Sequence, residues 1–235
     1  MSVLSRLALG TLAAVWLAGC QQAALPLPTS VPPTRTAVGS PPVTATPAAT
    51  ATPAANLTLD KVGAASSPSG YTAFAVVSNP TAQTARDVKV EIAELNASGQ
   101  VVMHRGGSIQ RIGAGQREAV AVAFPVGRTP PAQFSGTIGD VRWSTDSAPD
   151  IAQVAGASFV QDARTPTVRV HVVNNGQGPA RMILVAVCWD GAGNIRGGGT
   201  RTTTVAAGAG GHDVTVDVWI VAVPARCDGY GVAAS

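Results

Sequence analysis

Apolar and polar residues alternate along several short stretches of this chain. Val88, Val90 and Ile92, for example, are separated by Lys89 and Glu91. Two further stretches share this period of two: Val120, Val122 and Phe124 between alanines, and Val214, Val216 and Val218 between Asp213, Thr215 and Asp217. Alternation of this kind, rich in β-branched residues, is typical of half-buried antiparallel strands. No stretch keeps a helical spacing, so we predict an all-β protein.

The strand pattern occurs twice, at an offset of about 93–96 residues. Residues 76–80 align with 172–176, which places Asn79 opposite Asn175, and residues 88–99 align with 183–193. Shorter matches follow at 112–115 with 205–208 and at 120–124 with 214–218. A repeat this long indicates tandem domains, and polar turn residues at 144–149 mark the break. We therefore predict domains at residues 56–147 and 148–235.

Each domain has short strands separated by Gly, Asn, Asp and Pro, which is the pattern of an immunoglobulin-like β-sandwich. Residues 186–193, Ala-Val-Cys-Trp-Asp-Gly-Ala-Gly, also resemble the strand-end motif of the FxLYD family of small bacterial sandwich domains. Residues 93–99 resemble it more loosely, because they lack both the aromatic residue and the Asp. This resemblance implies a fold and no activity.

The N-terminus has the three parts of an export signal, assigned to residues 1–19. One Arg precedes an apolar run over residues 7–17, which is too short for a bilayer core that needs about 20 residues. The run ends in Leu17-Ala18-Gly19-Cys20, which resembles the lipobox of bacterial lipoproteins. That resemblance implies cleavage before Cys20, a lipid on its thiol, and attachment to the extracytoplasmic face of a membrane.

Residues 20–55 are dominated by Pro, Thr and Ala, and Arg35 is their only charged residue. Frequent prolines favour extended polyproline II over a packed core, so this segment is predicted to be a disordered stalk. The composition is typical of an O-glycosylated stalk and equally of a plain spacer. Both interpretations stay open.

The net charge is +3, and no run of Lys or Arg occurs. A nucleic-acid partner is therefore not indicated. Outside the reducing cytosol, the two cysteines other than Cys20 are expected to pair, which predicts a Cys188–Cys227 disulfide. The alternative, a metal or catalytic thiol, lacks a histidine at ligand spacing.

The histidines His104, His171 and His212 are scattered, with His171 on the solvent face of a strand and the other two in or beside Gly-rich loops. We predict no metal site, cofactor or catalytic group. Asp213 and Asp217 are interpreted as charges that protect a strand edge. Asp190 is interpreted as a hairpin residue rather than a calcium ligand.

The glycine clusters at 197–199 and 208–211 do not open helices, so they are interpreted as flexible loops rather than phosphate cradles. Trp189 is expected in the core. Trp219 breaks the parity of its strand and is expected to face outward, which makes Trp219 and Trp143 the candidate ligand contacts.

These features favour a non-catalytic lipoprotein that displays two β-sandwiches to an unknown protein or cell-wall partner. The first alternative is a module that binds envelope polysaccharide through exposed aromatic residues. The second is a hydrolase with an unrecognised site, which would need a cluster of titratable groups that the sequence does not reveal.

Overall fold

The computed structural model describes residues 56–67, 70–125, 133–146, 150–161 and 165–233. The predicted signal segment, the lipidation site at Cys20 and the stalk lie outside these residues, as do residues 147–149 of the predicted domain break. The described part of the chain is all-β, as predicted.

Fourteen strands are described. The first seven are β1 Thr58–Ser67, β2 Gly70–Ser78, β3 Thr84–Leu95, β4 Val101–Ile112, β5 Arg117–Pro125, β6 Gln133–Ile138 and β7 Arg142–Ser144. The others are β8 Ala152–Val160, β9 Thr167–Asn174, β10 Ala180–Trp189, β11 Ile195–Val205, β12 Gly208–Asp217, β13 Trp219–Ile220 and β14 Arg226–Ala233.

The strands form four antiparallel sheets, and each sheet draws on only one half of the chain. Sheet A contains β1, β2 and β5, and sheet B contains β3, β4, β6 and β7. Sheet C contains β8, β9 and β12, and sheet D contains β10, β11, β13 and β14. Sheets A and B enclose one apolar core, which includes Val77, Val90 and Ile109. Sheets C and D enclose a second, which includes Val170 and Leu184. These are the two predicted β-sandwiches.

A third core joins the two sandwiches. Sheet A contributes Phe74, Val76 and Ala119 to this core, and sheet D contributes Val185 and Val187. The four sheets are therefore layered in the order B, A, D, C. Strands β2 and β10 lie in the middle layers and are buried on both faces. One face of each strand packs inside its own sandwich, and the other face packs against the neighbouring sandwich.

Two buried asparagines fix the register of the repeat. The Nδ2 atom of Asn79 donates to the Ile112 carbonyl over 2.9 Å, and that of Asn174 donates to the Val205 carbonyl over 2.9 Å. Asn79 therefore corresponds to Asn174, and not to Asn175 as the sequence alignment had it. The error is one residue, and in a strand such a shift exchanges the inner and outer faces.

The first glycine cluster does not form the flexible loop that its composition predicted. Gly197, Gly198 and Gly199 are buried within β11. A Cβ atom on Gly197 would come 2.5 Å from the Trp219 carbonyl oxygen, and one on Gly199 would collide with that of Asp217. The glycines are thus needed because other backbone passes directly over this strand. The second cluster, at 208–211, likewise lies at the start of a strand, β12.

Candidate functional site

The disulfide predicted between Cys188 and Cys227 is present. The two residues are direct neighbours on β10 and β14, with their Cα atoms 4.0 Å apart. Both are buried in the core of the second sandwich. The bridge therefore fastens β14 to β10, an inner strand of sheet D.

Residues 219–225, Trp-Ile-Val-Ala-Val-Pro-Ala, form an exposed apolar stretch of the second sandwich and are named here the Trp219 segment. Trp219 is 45% exposed, Val221 71% and Val223 65%, and the segment carries no charge. Trp219 thus faces outward, as its strand parity predicted. Sequence analysis identified the tryptophan but missed the apolar run that follows it.

Backbone hydrogen bonds hold the Trp219 segment at several points. β13 pairs with Gly197 and Gly198 of β11, the Val221 N–H donates to the Arg196 carbonyl over 3.1 Å, and the Ala225 N–H donates to the Trp189 carbonyl over 2.8 Å. These bonds fix the backbone of the segment at both of its ends.

Trp143, the other predicted contact residue, lies elsewhere. It is half-buried on β7 and packs against the core of the first sandwich. With Asn56 and Asp140 it lines an open hollow of about 560 Å³. The structure therefore does not bring Trp143 and Trp219 into one described site.

The histidines occupy strands. His104 lies in β4 and His212 in β12, so the prediction of loops for these two was wrong, although both are exposed. His171 Nδ1 lies 2.9 Å from Asp213 Oδ1 on the outer face of sheet C. Asp213 and Asp217 are exposed on β12, which is an edge strand of that sheet.

The turn at Asp190 uses its carboxylate internally. Oδ1 accepts the N–H groups of Ala192 and Asn194 over 2.9 and 2.8 Å, and Oδ2 accepts the Arg196 Nε–H over 2.9 Å. The Asn194 N–H and the Arg196 side chain hold the pKa of Asp190 well below its ordinary value. This arrangement supports the hairpin interpretation.

A polar cleft of about 200 Å³ lies where the two sandwiches meet. Among the residues that line it are Glu118 of β5, Asp150, Gln153, and Tyr230 of β14. Burial, and secondarily the charge of Asp150, raises the pKa of Glu118 to about 8. Its Oε2 atom has no hydrogen-bond partner among the described residues.

Sequence reasoning missed Glu118, although a signal was available. Glu118 has the same parity as Val120, Val122 and Phe124, all of which are buried. An acid on the inward side of an alternating strand is a candidate for a buried titratable group.

No group of three or more His, Cys, Asp or Glu side chains in the described residues could hold a metal ion. The same residues contain no helix with the length and apolar character that crossing a membrane requires. No protein-family model matches this chain, and no curated protein matches its sequence. The lipobox and FxLYD resemblances accordingly stay predictions from their own motifs.

Proposed function

We propose that this chain is a lipid-anchored extracytoplasmic lipoprotein whose paired β-sandwiches present the Trp219 segment to a protein partner in the cell envelope, without catalysis. Three features support the location: the export signal, the lipobox at Cys20, and the disulfide. Buried disulfides persist in oxidising compartments and are rare in the cytosol.

The observation that carries the proposed contact is the exposure of Trp219 beside Val221 and Val223. Tryptophan is enriched among residues that dominate binding energy at protein interfaces. Seven consecutive residues without charge favour an apolar partner surface, since a polar partner would lose hydration there without gaining hydrogen bonds. Because backbone bonds hold the segment in place, binding requires little ordering of it.

Site-specific photo-crosslinking in intact cells tests the contact. A photoreactive residue in place of Val221 should yield one dominant protein adduct, and Trp219→Ala in the same chain should remove it. The control places the photoreactive residue at Ile151, which is 64% exposed outside the segment. Equal adducts from both positions, or no adduct from Val221, would contradict the proposal.

The anchor is tested separately. Cells fed a radiolabelled fatty acid should label the wild-type chain, and Cys20→Ser should abolish the label and release the protein from the membrane fraction. Because this experiment does not involve the Trp219 segment, a failure here leaves the contact result interpretable. A labelled Cys20→Ser chain would refute lipidation at this residue.

A second candidate, binding of envelope polysaccharide, is favoured by the hollow beside Trp143. An indole with Asp140 and Asn56 offers both a stacking surface and hydrogen-bonding groups for sugar hydroxyls. Quenching of tryptophan fluorescence by purified cell-wall glycan should then survive Trp219→Phe and disappear in Trp143→Phe. An unchanged wild-type spectrum would count against this candidate.

A further inference from the structure

The cleft between the two sandwiches is built around one carboxyl group without a counter-ion. Glu118 lies on β5, an edge strand of sheet A, and its carboxylate accepts the backbone N–H groups of Gly231 on β14 and of Ala119. These bonds leave Oε2 without a partner in the described structure. Glu118 therefore joins the two sandwiches and still has an unused acceptor.

The charged groups around Glu118 are already paired with one another. Arg117 binds Asp60 over 2.8 Å, Arg111 binds Asp150 over 2.6 Å, and Arg226 lies 3.5 Å from Asp228. Among the described residues, no cationic side chain forms an ion pair with Glu118. Asp150 adds negative charge from the other side of the cleft.

From this arrangement we infer that the cleft is a binding site for an alkylammonium group, such as a lysine side chain or a free amine, with Glu118 as its counter-ion. An ammonium group carries three N–H donors and one positive charge, so it can satisfy Oε2 and compensate the buried carboxylate together. Gly229 and Gly231 of β14 also line the cleft. The wall residues Gln153 and Tyr230 are polar as well.

The inference makes a specific prediction about protons. Glu118 is mostly protonated at pH 7, because its pKa is raised to about 8. A cation that pairs with the carboxylate stabilises the ionised form, so binding an alkylammonium ion at pH 7 should release close to one proton. Besides Arg117, the titratable groups that line the cleft with Glu118 are Asp150 and Tyr230. Burial raises the pKa of Tyr230 to about 12, so the tyrosine keeps its proton.

Calorimetric titration of the full chain carrying Cys20→Ser with 1,5-diaminopentane tests the site. The binding heat at pH 7 should differ between phosphate and MOPS buffers, neither of which carries a primary ammonium group, by the amount expected for one released proton. Glu118→Gln should weaken binding at least tenfold and remove the buffer dependence. Glu91→Gln, which changes an exposed glutamate on β3, should change neither.

Several results would overturn the inference. The inference fails if tens of millimolar diamine give no binding heat, if Glu118→Gln binds the diamine as tightly as the wild type, or if binding releases no proton. Calcium is the competing cation, and a site that binds Ca²⁺ while ignoring the diamine would overturn the ammonium assignment. Thermal unfolding of each variant establishes that it is folded. If Glu118→Gln is unfolded, Glu118→Asp replaces it. The shorter carboxylate should bind the diamine more weakly and still release a proton.

Discussion

The ring of Phe74 lies directly over the backbone of Gly198. A Cβ atom added to Gly198 would come 2.7 Å from Cζ of Phe74, which is closer than side-chain atoms pack. Phe74 belongs to β2 of the first sandwich and Gly198 to β11 of the second, so this contact lies in the core between the sandwiches. On β1, Gly63 has the same relationship with Ile195, whose Cβ atom would lie 2.6 Å from an added Cβ. The sheets approach closely because each presents a glycine to a large side chain of the other.

Gly198→Ala should therefore destabilise the protein by about 1–3 kcal/mol, as overpacked cores do. The added methyl group collides with both Phe74 and the Ala186 carbonyl, whose oxygen would lie 2.5 Å away, so both contacts have to be relieved. Urea unfolding measures the change. Gly106→Ala is the matched control, since a Cβ there meets nothing closer than 4.0 Å. A control that loses as much stability as Gly198→Ala would disprove the packing argument.

Glu91 of β3 and Val185 of β10 lie in environments of opposite polarity. Glu91 is exposed on the outer face of sheet B, whereas Val185 is 3% exposed in the core between the sandwiches. Val185→Glu should cost at least about 3 kcal/mol, because it buries a carboxyl without a partner. Glu91→Val should change the free energy of unfolding by less than about 1 kcal/mol. Comparable losses in both variants, measured by urea unfolding, would argue against the stacking of sheets A and D.

The hydrophobic pattern predicted the strands and both sandwiches, because period-two alternation directly reflects one buried face. The alternation did not predict that the two sandwiches stack on each other, although two strands carry a sequence pattern that indicates it. The run at 73–77 and that at 184–189 are apolar without alternation, which indicates strands buried on both faces. The glycine cluster at 197–199 was misinterpreted for a related reason, since only the neighbouring backbone reveals why a strand requires glycine. Glu118 was missed because its unusual environment comes from β14, which is distant in the sequence.

The buried Asn174 should matter far more than its neighbour Asn175. Replacing Asn174 by alanine leaves the carbonyls of Gly178 and Val205 without their donor, at a cost of about 2–3 kcal/mol. Asn175 is exposed, so Asn175→Ala should cost less than about 0.5 kcal/mol. Asn79→Ala should behave like Asn174→Ala. Equal effects of the two adjacent alanines on thermal unfolding would invalidate the assigned register of the repeat.

Glu118 should make the protein less stable as the pH rises. Its pKa is about 8 in the folded chain against an ordinary 4.5, so between these values the folded state holds a proton that the unfolded state has lost. The contribution of Glu118 to the free energy of unfolding is therefore fully present below about pH 4.5. It is lost progressively as the pH rises to about 8, which lowers the free energy of unfolding by on the order of 3–5 kcal/mol.

The substitution Glu118→Gln tests this pH dependence because it removes the titration and keeps the shape of the side chain. The variant should match the wild type near pH 4.5 and exceed its stability at pH 8.5, while the exposed-site change Glu91→Gln should follow the wild-type curve. Urea unfolding across this range provides the measurement. A Glu118→Gln profile parallel to that of the wild type would exclude a raised pKa at this residue.

The Cys188–Cys227 bridge closes a loop of 39 residues, and its removal should be among the costliest changes in the second sandwich. Loss of a loop constraint of this size corresponds to about 4 kcal/mol in the chain-entropy treatment, or a decrease in Tm of about 10 °C. This decrease in Tm should appear both in the double variant Cys188→Ala/Cys227→Ala and in the reduced wild type. Reductant should not change the Tm of the double variant, which separates the bridge from other effects of reduction. Because β14 also supplies the Gly231 N–H bound by Glu118, loosening this strand should weaken diamine binding as well. A double variant with wild-type Tm would mean that β14 is held by its hydrogen bonds and packing alone.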